Sequence, residues 1–585
     1  WLSDNLIVSM SPLVALTQLE VLKLVANQIE EVPKNVQDMI NLKELHLACN
    51  RLSTLPKEIG NLTTLEKLLL SNNRIVRLPI EVGFLTKLHA LYLEQNPGMI
   101  TPPKQICNKG TYGIVQYLLR IVESKKTKLL DLTRQELDIL PPEVCELDMI
   151  QTLILHENGL PSLRSEVGNM TNLTALSLTG NYLAELPSSV SNLTKLRELT
   201  VTGNELRQLP AELGCVTSLE KVHVDSDNQH LRNPPPEIVR EGAAAIVEYL
   251  KEMFQARSSH ECDMSQMALQ QLPLEICQIP NLTKLNLADN LLKMLPLAVR
   301  QMTRLTELNV SDNRLLVLPP AVAEIWQLKE LKLDHNKLRQ IPPDLCKLTC
   351  LTKLSLIDNL VEVMPDEIGD MMWLEELSVI GNNLKQVPWC YGRMKGLEKL
   401  ELDDNPELRV PPGPVIEKGT VAVKMFLNGI VSAYDTNALD LTGLSLTYLV
   451  EEIYEMSKLT RLKLLHNQLE DLPDDIGRLH NLVNLNLCDN LLSFLPDEFS
   501  QLTSLEVLKL SYNQIEELPE ELALLENLNQ LWLSHNQISL LPLELYKLTN
   551  LSELLCTANP LLALPAGLVR LTNLRKLSME VYDLT

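Results

Sequence analysis

The sequence predicts an α/β solenoid: a curved parallel sheet on the concave side, helical or irregular segments on the convex side, and three inserted helices. Three observations predict it. Asparagines recur every 23 residues, at Asn27 to Asn96, Asn158 to Asn204, Asn290 to Asn405 and Asn467 to Asn559, and 23 frames can be counted from Asn5 onward. Leucines two apart precede each asparagine and a Leu-Pro pair commonly follows it. The period is broken three times, and the three interruptions resemble one another.

The leucines before each asparagine, such as Leu45 and Leu47, alternate as a short strand whose i and i+2 side chains share one buried face. The asparagine ends that strand. Its amide both donates and accepts, which meets backbone groups that a buried turn would orphan. Leu-Pro, as at Leu55-Pro56, fixes φ and starts the convex return, where Ile59 and Leu62 are expected to be buried. One frame cannot cover its own apolar face, so stacked frames share a continuous core.

The interruptions follow Asn96, Asp227 and Asn405, and the next frames arrive 39, 40 and 39 residues later at Gln135, Met267 and Leu444. They read PPKQICNKGTYGIVQYLLRIV, PPPEIVREGAAAIVEYLKEMF and PPGPVIEKGTVAVKMFLNGIV, aligned on Gly110, Gly242 and Gly419. Apolar Ile246, Val247 and Leu250 follow helical spacing, so each break is expected to add a helix of about three to four turns. Because Gln135, Met267 and Leu444 replace asparagine, the asparagine ladder is expected to stop at each break. The breaks are either relics of duplication that kink or thicken the stack, or docking ledges. They divide the chain into modules at 1–124, 125–257, 258–434 and 435–585.

Composition narrows the function. Lys and Arg number 52 against 75 Asp and Glu, a formal charge of −23, which argues against nucleic acid or an anionic membrane surface as partner. No apolar run is long enough to insert into a membrane. The opening WLSDNLIVSM lacks the features of a signal peptide and reads as a cut edge. Eleven dispersed cysteines without a CxxC pair suggest reduced thiols and a cytoplasmic setting. The sequons at Asn61, Asn172, Asn192 and Asn281 all fall in the recurring phrase NLT and read as frame residues.

Frames such as LPKEIGNLTTLEKLLLSNNRI and LPDDIGRLHNLVNLNLCDNLL resemble the leucine-rich repeat, in the short LPxxIGxL form of the Ras-group proteins, which include Sur-type scaffolds and plant intracellular relatives. The resemblance covers essentially the whole chain. It implies a non-catalytic scaffold that binds protein partners in signalling, a small GTPase or another signalling protein among them. The family's phosphatase-docking pattern, basic-x-Val-x-Phe, is absent around the five phenylalanines, which puts a phosphatase-cofactor role in doubt. The other reading is a sensor or autoregulatory region of a larger GTPase, kinase or ubiquitin ligase whose catalytic domain lies outside this chain.

No catalytic residue, cofactor or metal is expected. GTYGIV at Gly110 and VAVK at Val421 resemble kinase fragments, but they occupy equivalent places in two breaks and no HRD or DFG accompanies them. Cys346 and Cys350 read as buried thiols rather than as metal ligands.

Partners are expected on the concave face, where side chains vary without damaging the repeat. Two patches stand out. Asp289, Asp312, Asp334, Asp358, Glu401, Asp403 and Asp404 form a carboxylate surplus that either steers a basic partner or simply solvates the face. Trp532, with Tyr512, His535, Lys509 and Gln530, supplies an exposed aromatic anchor or else packs against a C-terminal element beyond the sequence.

Overall fold

The leucine spacing gives most frames a three-residue strand with its middle side chain inward. In Glu44–His46, Leu45 is fully buried while Glu44 and His46 are half-exposed on the concave side. Neighbouring frames stack in parallel with a register of 23, so that Glu44, Leu45 and His46 face Lys67, Leu68 and Leu69. The computed structural model describes residues 1–225, 231–563 and 566–580. They fall into two units, Trp1–Leu269 and Gln270–Thr585.

The first unit carries a four-stranded sheet running from Val21–Lys23 to Ala90–Tyr92 and a five-stranded one from Leu129–Asp131 to Lys221–His223. In the second, strands run in order from Lys284–Asn286 to Lys399–Glu401, and a separate seven-stranded sheet runs from Ala438–Asp440 to Lys576–Met579. Among the described residues there are 23 strands, the number of frames read from the sequence, but the membership differs. The Asn5 frame forms no strand and only lends two ladder bonds, from Leu2 and Asp4 N–H to Lys23 and Val25 carbonyls. The strand Lys576–Met579 completes the number.

The asparagine ladder is built as the amide chemistry requires. Asn50 Nδ2 donates to Leu24 O at 2.9 Å and Leu47 O at 3.1 Å, and its Oδ1 accepts Ile29 N–H at 3.0 Å. Each asparagine thus ties its own strand end to the frame before it. The ladder stops at Asn96 and restarts at Asn158, whose Oδ1 accepts both Gln135 and Leu137 N–H. Asn467 does the same for Leu444 and Leu446. In the restarting frames Asp131 and Asp440 accept the N–H and hydroxyl of Thr133 and Thr442, a local bond that Asn286, Asn309 and Asn486 also make to the N–H two residues on.

After each Leu-Pro the convex return is a short 3-10 helix, as in Lys57–Asn61, which buries Ile59. A Cβ on Gly60 would lie 2.4 Å from Glu81 O of the next frame, so the glycine of the IG pair lets adjacent returns touch. A second row of asparagines crosses frames here: Asn172 Nδ2 donates to Asp148 O at 3.0 Å and Asn550 to Glu526 O at 2.8 Å. The amide of the Asn172 sequon is therefore engaged in the frame, and that of Asn61 bonds Gln37.

The three inserted helices, Gly110–Thr127, Ala243–Ser259 and Thr420–Thr436, have 18, 17 and 17 residues. That is about five turns at 3.6 residues each, longer than the apolar spacing implied. Each ends on a left-handed residue, Lys128, His260 or Asn437. GTYGIV and VAVK lie within the first and third of them. The helices pack on the last convex return before each break, where Gly83, Gly214 and Gly392 leave no room for a side chain. A Cβ there would lie 2.3, 2.1 and 2.3 Å from the helix backbone nitrogens of Leu119, Lys251 and Asn428. Under the first helix, Glu143 is buried and accepts hydroxyl bonds from Tyr117 and Thr101, both at 2.8 Å.

Candidate protein-interaction surface

The last sheet sets Lys509 beside Trp532 and Val507 beside Gln530, because frames stack residue on residue. Lys509 Nζ lies 3.5 Å from the centroid of the Trp532 ring, a cation on an indole face. Three residues beyond each strand residue the chain turns through the left-handed region, at Tyr512 with φ 60° and His535 with φ 59°. Their rings stack at 4.2 Å with an interplanar angle of 11°. Two neighbouring frames therefore present two stacked pairs side by side, and Gln530 stands half-buried at the other end of the strand.

The expectation of an exposed tryptophan is corrected by this geometry. Trp532 is half-buried because Lys509 lies over it, and its Nε1 has no acceptor among the described residues. Tyr512, 56% exposed, is the outermost aromatic of the group. The surface offers flat aromatic faces, one ammonium and one imidazole, and it suits a partner that brings apolar or carboxylate groups.

The seven acidic residues do not gather into one site. Asp289, Asp312, Asp358 and Asp404 each precede a ladder asparagine with φ between 51° and 55°. Gly180, Gly203, Gly381 and Asn72 fill the same place in other frames, so a left-handed turn that admits short polar residues accounts for part of the acidity. Asp334 accepts bonds from the Ser355 hydroxyl and Ile357 N–H. Asp358 pairs with His335 at 3.2 Å and Glu401 with Lys399 at 2.7 Å. Asp289, Asp312, Asp403 and Asp404 have no ion pair among the described residues.

Sequence reading missed the left-handed column. The signal was present in the Gly, Asp, Asn and His that recur just before the asparagines. It also misjudged Cys346 and Cys350, which are half-buried. Burial pushes Cys145 and Cys277 up to about 11 and Cys262 and Cys556 up to about 12, so these thiols are inert at neutral pH. Among the described residues no group of three His, Cys, Asp or Glu is placed to hold a metal ion.

Residues 2–108 and 116–258 match the family model of a leucine-rich repeat region, and 303–361, 457–515 and 480–538 match that of a leucine rich repeat. The chain is a leucine-rich-repeat protein. Comparison with curated proteins gives no match. Among solved structures, this leucine-rich-repeat chain is similar to a leucine-rich-repeat protein of Leptospira interrogans, at 21% identity over 99% of this chain and 100% of that one, with a TM-score of 0.19. It is also similar to the Arabidopsis receptor kinase HAESA in complex with a peptide hormone and a co-receptor, at 22% identity, 100% and 78% coverage and a TM-score of 0.23. The leucine-rich-repeat ectodomain of the Arabidopsis thaliana membrane receptor kinase GASSHO1 gives 24% identity, 99% and 66% coverage and a TM-score of 0.23. Leucine-rich repeats in general mediate protein–protein interaction. No described helix of this leucine-rich-repeat protein is long and apolar enough to cross a membrane.

Proposed function

We propose that this leucine-rich-repeat protein is a non-catalytic cytoplasmic scaffold of signalling whose protein partner docks on the concave face of the last array, at Lys509, Tyr512, Gln530, Trp532 and His535. The paired stacks of Lys509 on Trp532 and Tyr512 on His535 carry this reading, because they concentrate pre-ordered aromatic area on a chain with only 4% aromatics. Asp289, Asp312, Asp403 and Asp404 act at longer range, raising the association rate of a partner with a basic surface. The four stretches 1–124, 125–257, 258–434 and 435–585 serve as its modules. Eleven free thiols accord with a reducing compartment.

The Ras-group likeness of the repeat makes small GTPases the first partners to try. Immobilised wild-type chain and a Trp532→Ala/Tyr512→Ala variant are each offered small GTPases loaded with GDP or with a non-hydrolysable GTP analogue, after circular dichroism shows equal folding. The expected result is nucleotide-dependent capture by the wild type and a loss of at least about tenfold in the variant. Equal capture by both removes the patch from the proposal, and capture by neither removes the GTPase.

A further inference from the structure

The first break leaves a strand edge open inside a cavity. In the frames before it, three main-chain donors point to the following frame: Leu47 N–H reaches Leu69 O at 2.8 Å, Cys49 N–H reaches Ser71 O at 2.9 Å, and Leu52 N–H reaches Asn73 Oδ1 at 3.0 Å. Leu70, Asn72 and Ile75 repeat the pattern against Tyr92, Glu94 and Asn96. The corresponding donors of the last frame are Leu93, Gln95 and Gly98, and none has an acceptor among the described residues. The inserted helix starts to close this edge and stops short. Its Thr111 hydroxyl takes Leu91 N–H at 2.8 Å, and Leu93 and Gln95 line a cavity of about 590 Å³ together with Tyr92, Lys104 and Asn108.

We propose that this cavity binds an extended peptide segment of a partner protein, added in parallel to the edge Ala90–Tyr92. The three donors fix the chemistry of the occupant. Leu93 and Gln95, which line the cavity, require carbonyls two residues apart on an extended chain, and Gly98, outside the lining, takes a side-chain oxygen two residues further on, as an Asn or Asp supplies. Main-chain pairing gives affinity and the walls give selectivity, as in other strand additions. Leu93 is buried, and a buried N–H without a partner is costly, so filling that donor is favourable, while Gln95 and Gly98 are exposed and set register rather than affinity. The edge after Asn405 has the same form, with Leu400 N–H held by Thr420 and Leu402 and Asp404 N–H unfilled among the described residues. There Asp403 and Asp404 flank it, so the two edges differ in side-chain preference while sharing the main-chain rule.

The test uses the full chain and a blocked synthetic peptide of sequence EKLLLSNN, which copies Glu66–Asn73 and so carries the required carbonyls and asparagine. Hydrogen exchange is read residue by residue with the peptide at about 1 mM. The amides of Leu93, Gln95 and Gly98 are expected to slow at least about tenfold, while those of Leu70 and Asn72, already bonded, do not change. The mirror-image peptide of D-residues, equal in charge and hydrophobicity, is expected to give no slowing. Asn108→Trp, at an exposed wall position, is expected to abolish the effect, with Lys104→Trp as a second filling variant should the first fail to fold. Trp532→Ala/Tyr512→Ala leaves it intact, which separates this edge from the concave patch. No slowing at Leu93 and Gln95, or equal slowing by the mirror-image peptide, overturns the proposal.

Discussion

Replacing Asn359 by alanine removes one rung of the asparagine ladder, and the partners left behind set the cost. Asn359 Nδ2 donates to Leu333 O at 2.9 Å and to Leu356 O and Ile357 O at 3.1 Å, and its Oδ1 accepts Leu338 N–H at 3.1 Å. The three carbonyls keep a second donor, because Asn336 also reaches Leu333 O, Asn382 also reaches Leu356 O and His335 N–H also reaches Ile357 O. Leu338 N–H keeps none, and its residue is fully buried. An orphaned buried N–H costs about 1–3 kcal/mol, and the redundant bonds contribute at most about 1 kcal/mol together. The expected destabilisation is therefore about 1–4 kcal/mol. A stack of frames need not unfold in one step, so the assay pairs urea unfolding with hydrogen exchange at Leu338. Exchange at Leu338 should accelerate locally even where the global transition hardly moves. A loss below about 0.5 kcal/mol together with unchanged exchange at Leu338 would show that the ladder follows the fold without supporting it.

Gly83→Ala forces a Cβ to within 2.3 Å of Leu119 N and should cost about 1–3 kcal/mol or more in urea unfolding, whereas Gly98→Ala, whose nearest neighbour is a Val76 methyl at 3.7 Å, should stay within about 0.5 kcal/mol. Glu143 should make stability fall with rising pH. Burial pushes its carboxyl up, the first cause ahead of the lowering hydrogen bonds from Tyr117 and Thr101. Below the ordinary carboxylate range both states hold the proton and the group contributes nothing. Above it the unfolded chain releases a proton that the folded chain retains, and stability is lost until the pH passes the raised value, at about 1.4 kcal/mol per pH unit of that window. Urea midpoints for wild type and Glu143→Gln, compared from about pH 4 upward, should diverge in favour of the variant, and parallel curves would refute the assignment.

Much of this architecture was legible because each frame repeats a local rule. The alternation at Leu45 and Leu47 and the amide at Asn50 leave few alternatives for a 23-residue unit that must bury its leucines against copies of itself. Helix length was not legible, because the apolar spacing at Ile246, Val247 and Leu250 marks only the packed face, and the helices run on to left-handed caps at Lys128, His260 and Asn437 that carry no glycine signal. The candidate surface was legible in residue type and not in exposure. Trp532 is covered by a residue 23 positions earlier, and a single frame gives no sign of what the next lays across it. The acidic stretch was legible as charge and not as backbone conformation, since Asp289, Asp312, Asp358 and Asp404 occupy a turn whose φ favours them whatever they bind.

The glycines at Gly83, Gly214 and Gly392 give the chain a grammar. An interior frame meets only another frame on each side, so one can be copied or lost without altering what its neighbours touch. The frame before an inserted helix meets a helix backbone, and it cannot be exchanged for an interior one that lacks the glycine. An interior frame that already carries the glycine, such as that of Lys57–Asn61, meets this condition, whereas one with a side chain there does not. The inserted helices thus set which frames can end an array.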